Sequence, residues 1–230
     1  MMACDTAIDP VWEQKYSAGH RQRYPWGQVV SFVLRHAPRD RPRRDVSILE
    51  VGCGTGSNLW FMAREGFAPT GIDASPSAIA TARARMEAES LPVSLHVGSF
   101  TSLPFPNQSF DMAVDRGSLT CVGVSNARLA LAEICRTLKP GGLLQFNPYS
   151  AAHGSRLTGS AAGDGLVTNM TGGTLAGYGQ ICFYSRQEAL DVLGDGFEVE
   201  ECRHLLLIDE DRPPETAHAE WRIIARKKQG

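Results

Sequence analysis

Residues 48–56 read ILEVGCGTG: an apolar run carrying Glu50, then glycines at 52, 54 and 56. Glycine lets a backbone adopt positive φ and approach a ligand closely. A helix starting near Ser57 would aim its free N–H groups at the same point. Such a turn binds a ligand, and its neighbours narrow the choice. A P-loop needs GxxxxGK[ST], and no lysine follows these glycines, which argues against a nucleoside triphosphate. A dinucleotide fingerprint is GxGxxG, whereas here the spacing is GxGxG and Ser57 stands in the sixth position. Glu50 would repel a pyrophosphate and favour an ammonium or sulfonium. Asp73, 21 residues after Gly52, fits an acid that takes both hydroxyls of a ribose. Its alternative role as a helix N-cap is weakened by Ser75, which is available for that purpose. A ribose and a positive charge without a diphosphate describe S-adenosylmethionine.

These residues need a scaffold, and from Val46 onward the chain alternates short apolar runs with helical patterns. Strands are expected at Val46–Val51, Ala68–Asp73, Val93–Val97, Phe110–Asp115 and Leu143–Asn147, most of them bounded by turn residues, as parallel strands covered on both faces are. Ser75-Pro76 opens a helix to about Glu89. Ala127, Leu131, Ile134 and Leu138 mark another, which stops at Lys139-Pro140-Gly141-Gly142. A capping box from Ser185 to Glu188 opens a third, through about Leu193. Two closing strands follow, Glu198–Ile208 and Glu220–Arg226. Residues 11–37 hold two short helices around Tyr24-Pro25-Trp26. The fold class is therefore α/β, a doubly wound, mostly parallel sheet, whose ligands bind beyond the carboxyl ends of the strands. The expected division is an N-terminal helical cap over residues 1–45 and one domain over 46–230. Residues 150–180, rich in glycine, serine and threonine, are expected to form a long irregular lid over the crevice.

The sequence also resembles the class I S-adenosylmethionine-dependent methyltransferases. ILEVGCGTGSNLWFMAREG is similar to their first motif, GIDASPSAIATARAR to the second-strand motif with its ribose acid, VGSFTSLPFPNQSFDMAVDRGSL to the segment through the fourth strand, and LKPGGLL to the turn into the fifth. The resemblance covers about residues 46–147 closely. It implies a Rossmann-like seven-stranded sheet of order 3-2-1-4-5-7-6 with strand 7 antiparallel. It further implies that Gly52, Cys53 and Gly54 line the methionine portion, Glu50 helps hold its amino group, and Asp73 with Ala74 takes the ribose. Ser99 and Phe100 stand where many members carry an acid that reaches the adenine amine. Asp115 and Arg116 are expected near the transferring methyl.

For the acceptor, His153, just after the fifth strand, and His20, in the N-terminal segment, are candidate bases alongside Asp115. Tyr16, Tyr24 and Tyr149 are candidate pocket walls. His36, His96, His204 and His218 receive no role. Asn147-Pro148-Tyr149 resembles the (D/N)PP(Y/F) signature of nucleic-acid amino methyltransferases, but it has one proline and follows the fifth strand, so that assignment is rejected.

A formal net charge of -2 gives no reason to expect nucleic acid. No apolar stretch is long enough for a bilayer, and the start MMACDTAIDP lacks a basic and an apolar leader region. Six cysteines (Cys4, Cys53, Cys121, Cys135, Cys182, Cys202) without a CxxC pair suggest neither a zinc site nor a redox dithiol, and read as small buried hydrophobes in a reducing cytoplasm. No metal is expected. The expected function is methyl transfer from S-adenosylmethionine to oxygen or nitrogen of a small molecule. Its rivals are an NAD-dependent oxidoreductase and a non-catalytic S-adenosylmethionine-binding protein. Oligomeric state is not legible.

Overall fold

The structure, a computed structural model, describes residues 9–229. Two helices come first, α1 (Val11–Ser17) and α2 (Gly27–His36). Strands and helices then alternate: β1 (Ser47–Val51), α3 (Ser57–Arg64), β2 (Ala68–Asp73), α4 (Pro76–Ala88), β3 (Ser94–Val97), β4 (Phe110–Asp115), α5 (Val124–Thr137) and β5 (Leu138–Phe146). Three short strands, β6 (Ser160–Ala161), β7 (Leu166–Thr168) and β8 (Gln180–Cys182), precede α6 (Arg186–Asp191), β9 (Phe197–Leu207) and β10 (His218–Lys227).

Seven strands form one sheet in the order β3-β2-β1-β4-β5-β10-β9. β10 runs antiparallel to both β5 and β9, and the other pairings are parallel. In chain order this is the 3-2-1-4-5-7-6 arrangement with the seventh strand reversed. Alternate residues of each strand feed opposite faces. Leu49 and Ala113 pack under α5 with Ala127, Leu131 and Ile134. Ile48 and Met112 pack on the other face with Leu59, Met62 and Ile79. Val29, Phe32 and Val33 of α2 join that second cluster and are all buried. Burial of each such side chain is worth about 1.5–3 kcal/mol, so α2 is fixed by packing rather than by propensity.

Caps appear where the residue types demand them. Ser75 accepts from the Ala78 N–H at 3.0 Å and Pro76 opens α4. Ser185 and Glu188 form the reciprocal capping box of α6.

Two expectations are corrected. β5 begins at Leu138, not Leu143, and runs through Lys139-Pro140-Gly141-Gly142, because the register with β4 shifts between Phe110 and Met112 and accommodates the extra residues. Residues 150–180 are not an irregular loop. β6–β8 pair in a small antiparallel sheet, and Val167, Met170, Leu175, Ile181 and Phe183 bury one another beneath it. Among the described residues no helix is long and apolar enough to cross a membrane. Cys53 and Cys182 are buried, and Cys121, Cys135 and Cys202 are half-buried, all five as free thiols; Cys4 lies outside the described residues.

Candidate active site

The turn after β1 is squeezed from two sides. Gly52 has φ +61°, and a Cβ there would stand 2.2 Å from the Cβ of Ser118, in the loop after β4. Gly54 has φ +52°, and a Cβ would stand 2.6 Å from the Tyr16 hydroxyl on α1. Both positions therefore need glycine twice over, for their dihedrals and for their neighbours.

Two acids flank this turn. Asp73 accepts from the Gly54 N–H at 2.8 Å through one oxygen and from the Ser75 N–H at 2.9 Å through the other. Burial raises its pKa against those two bonds. Glu50 is 3% exposed, and one carboxylate oxygen accepts from the Asn58 side chain at 2.6 Å. Its other oxygen is buried without a partner. Burial, reinforced by Asp115 and Asp73, pushes the Glu50 pKa up to about 8. An isolated buried carboxylate is costly, and the nearby guanidinium of Arg116 is already engaged with Glu220 at 3.1 Å and with the face of Trp26 at 4.1 Å. The orphaned oxygen of Glu50 thus calls for a donor from outside the protein, best a cationic one. That is what the ammonium and sulfonium of S-adenosylmethionine provide, so the residues fit this cofactor.

The turn opens into a cavity of about 1100 Å³. A single small-molecule site occupies about 300–1,000 Å³, so this cavity matches a large one. α1 straps the cavity. At one end, Glu13 accepts from the Ser75 and Ser77 hydroxyls, each at 2.5 Å, over the N-terminus of α4. At the other, the Trp12 ring meets Tyr178 edge-on at 5.3 Å, and Asp9 accepts from the Gln180 N–H at 3.1 Å.

Glu50, Gly52, Cys53, Gly54, Asp73, Ala74, Ser99, Phe100 and Arg116 all line this cavity, and so do Tyr16 and Tyr149. The Ser99 hydroxyl also shares a hydrogen bond with Thr101 at 2.6 Å. His20 stands exposed at the mouth, beside Trp12 and Tyr16. The remaining candidates sit elsewhere. Asp115 is fully buried behind the lining, where one oxygen accepts from the N–H groups of Ser118 (2.9 Å) and Leu119 (3.0 Å) and from the Ser118 hydroxyl. Burial raises its pKa to about 6. His153 is 1% exposed; Nδ1 accepts from the Ser155 N–H at 3.2 Å and Nε2 meets the Thr174 hydroxyl at 3.2 Å. Burial pushes its pKa down to about 4. Tyr24 is 64% exposed, with the Arg23 guanidinium over its ring, and lies outside the lining.

Residue-level reasoning missed three side chains that the fold brings in. Because β10 is antiparallel, its first residues arrive at the carboxyl ends of β4 and β5. His218, Glu220 and Arg222 therefore line the cavity beside Arg116 and Tyr149. The signal was a strand with polar residues at every second position, alternating with Ala219, Trp221 and Ile223.

Comparison with known proteins agrees with this geometry. Residues 48–142 match the family model described as a methyltransferase domain. The stretch that carries Glu50, the glycine turn and Asp73 is thus similar to a methyltransferase domain. A demethylmenaquinone methyltransferase of Tropheryma whipplei is 40% identical over 105 residues, covering 45% of this chain and 41% of that protein. A ubiquinone biosynthesis O-methyltransferase of Paramagnetospirillum magneticum is 37% identical over 122 residues, covering 50% and 48%. The chain thus spans less than half the length of these relatives. A solved S-adenosylmethionine-dependent methyltransferase from Methanosarcina mazei superposes with a TM-score of 0.71 at 22% identity, covering 90% of this chain and 100% of that one. Its likeness extends the shared fold well beyond residues 48–142 of the methyltransferase domain.

Proposed function

We propose that the protein transfers a methyl group from S-adenosylmethionine to an oxygen or nitrogen of a small-molecule acceptor. The observation that carries this reading is the unpartnered, buried oxygen of Glu50, set beside the glycine turn in the cavity. Glu50 takes the ammonium of the methionine portion and Asp73 the ribose hydroxyls. Ser99 and Phe100 bound the adenine end. Asp115 and His153 hold loops in place through their bonds to neighbouring groups, and His20 guards the mouth.

When bound, S-adenosylmethionine supplies a methyl group already activated on a sulfonium. The protein then aligns the acceptor and excludes water. Alignment is worth about 7–11 kcal/mol, against a factor of about 10²–10⁴ for a general base. α1 and the segment around β6–β8 supply the exclusion, through Trp12, Leu175, Tyr178 and Ile181. The small enclosed space favours a small molecule over nucleic acid, in line with the absence of surplus positive charge.

Calorimetry with S-adenosylhomocysteine and with NAD tests the reading. Uptake of S-adenosylhomocysteine alone is expected; uptake of NAD alone would overturn it in favour of an oxidoreductase.

A further inference from the structure

We propose that the acceptor is an aromatic compound bearing an acidic hydroxyl, a phenol or an enol, and that His218 takes its proton. The inference rests on the methyl-transfer reading above and names its acceptor.

His218 lines the cavity, and its Nε2 faces a Glu220 oxygen at 3.4 Å. Glu220 is almost fully buried. Burial works against its charge, but His218, Arg116 and Arg222 outweigh burial and bring its pKa down to about 2. A carboxylate fixed there keeps the proton of a neutral imidazole on Nε2 and leaves the Nδ1 lone pair as the base. Glu220 is thus a positioning residue and His218 a catalytic one.

The charges around His218 select the acceptor. Its own strand supplies Glu220 and Arg222, which are joined at 2.7 Å. The loop after β4 supplies Arg116, joined to Glu220 at 3.1 Å. The segment after β5 supplies Tyr149 and His153, whose rings meet the His218 ring edge-on. Burial holds the phenol of Tyr149 and the imidazole of His153 neutral. Two guanidiniums against one carboxylate leave a positive surplus, which repels an ammonium acceptor and suits an oxygen that is losing its proton. The lining of the same cavity includes the aromatic residues Trp12, Trp26, Tyr149 and Tyr178. They match a planar ring rather than a chain.

In the step itself, the acceptor O–H proton passes to Nδ1 of His218 while an oxygen lone pair forms the new O–C bond. The C–S bond breaks and its electron pair stays on sulfur, leaving a neutral thioether. The imidazolium, now beside Glu220, returns its proton to water.

The test uses the full chain with S-adenosylhomocysteine and 4-nitrophenol, whose ionised form absorbs visible light. S-Adenosylhomocysteine binding is followed by calorimetry on the same samples. Bound nitrophenol should ionise about one pH unit below the free compound, about tenfold in its ionisation constant. His218→Asn and His218→Gln should each reduce that shift while still taking up S-adenosylhomocysteine. Glu220→Gln should move the same pH profile. The inference is overturned if S-adenosylhomocysteine binds but nitrophenol does not, if the bound phenol ionises as it does in water, if both His218 variants keep the shift, or if 4-nitrobenzylamine binds more tightly than the phenol. Failure to take up S-adenosylhomocysteine would instead remove the methyl-transfer reading beneath it.

Discussion

Glu50→Gln separates the cofactor's demand for a carboxylate from the fold's dislike of one. The Glu50 pKa stands at about 8 in the folded protein, against 4.5 for an ordinary glutamate. For an acid raised in this way, the folded state resists ionisation. The cost is absent below about pH 4.5, grows as pH rises, and levels off above about pH 8. Each unit is worth about 1.4 kcal/mol, so near pH 7.5 the cofactor-free protein loses about 4 kcal/mol relative to acid conditions. Glutamine keeps the bond from Asn58 and never ionises. The variant should therefore match the parent near pH 5 and exceed its unfolding free energy by about 2–4 kcal/mol near pH 7.5, read by urea denaturation without cofactor. Affinity should move the opposite way. Losing a hydrogen bond to a charged group weakens S-adenosylhomocysteine binding by about 1.5–3 kcal/mol. In the parent, binding should tighten as pH rises from 6 toward 8, because Glu50 must shed its proton to meet the ammonium. Parallel stability curves for parent and variant, or equal affinity for S-adenosylhomocysteine, would refute this account of Glu50.

Two further substitutions probe the same half of the cavity. Asp73→Ala should weaken S-adenosylhomocysteine binding by about 1.5–3 kcal/mol, and an unchanged dissociation constant in calorimetry would take Asp73 out of the site. Gly54→Ala places a methyl 2.6 Å from the Tyr16 hydroxyl at a φ of +52°. Strain of this kind costs about 1–3 kcal/mol; thermal unfolding should show the loss, and Tyr16→Phe in the same chain should recover part of it.

The sequence and the structure agree most closely where a local rule acts alone. β2 and β4 span the expected residues, because each is a short segment ending in an aspartate with turn residues beyond it. Ser75 and the Ser185–Glu188 box cap the expected helices, since capping involves only residues three apart. Agreement fails where distant partners decide. Pro140-Gly141-Gly142 reads as a stop, yet the strand continues across it as a bulge: Leu138 pairs with Phe110 before it and Leu143 with Met112 after it, and the Arg226 guanidinium donates to the Gly141 carbonyl at 2.7 Å. Residues 150–180 have the composition of a loop, and the apolar residues they bury with Ile181 and Phe183, namely Val167, Met170 and Leu175, follow neither a helical nor a strand period. At the site, Glu50, Gly52, Gly54 and Asp73 were legible because one turn and one strand end determine them. His218 was not, since its position depends on the direction of the last strand, and direction is a property of the whole sheet.

The reversed strand also separates two kinds of heritable information. The residues proposed to grip the nucleoside, Glu50, Asp73, Ser99 and Phe100, all lie between 48 and 142, the stretch that matches the family model. The residues proposed to face the acceptor come from several places: Trp12 on α1, Arg116 after β4, Tyr149 after β5, and His218, Glu220 and Arg222 on β10. Exchange of β9 and β10 for the equivalent pair from a relative would therefore alter what is methylated while leaving the methyl donor untouched. A lineage built this way can diversify its chemistry by editing its last thirty or so residues.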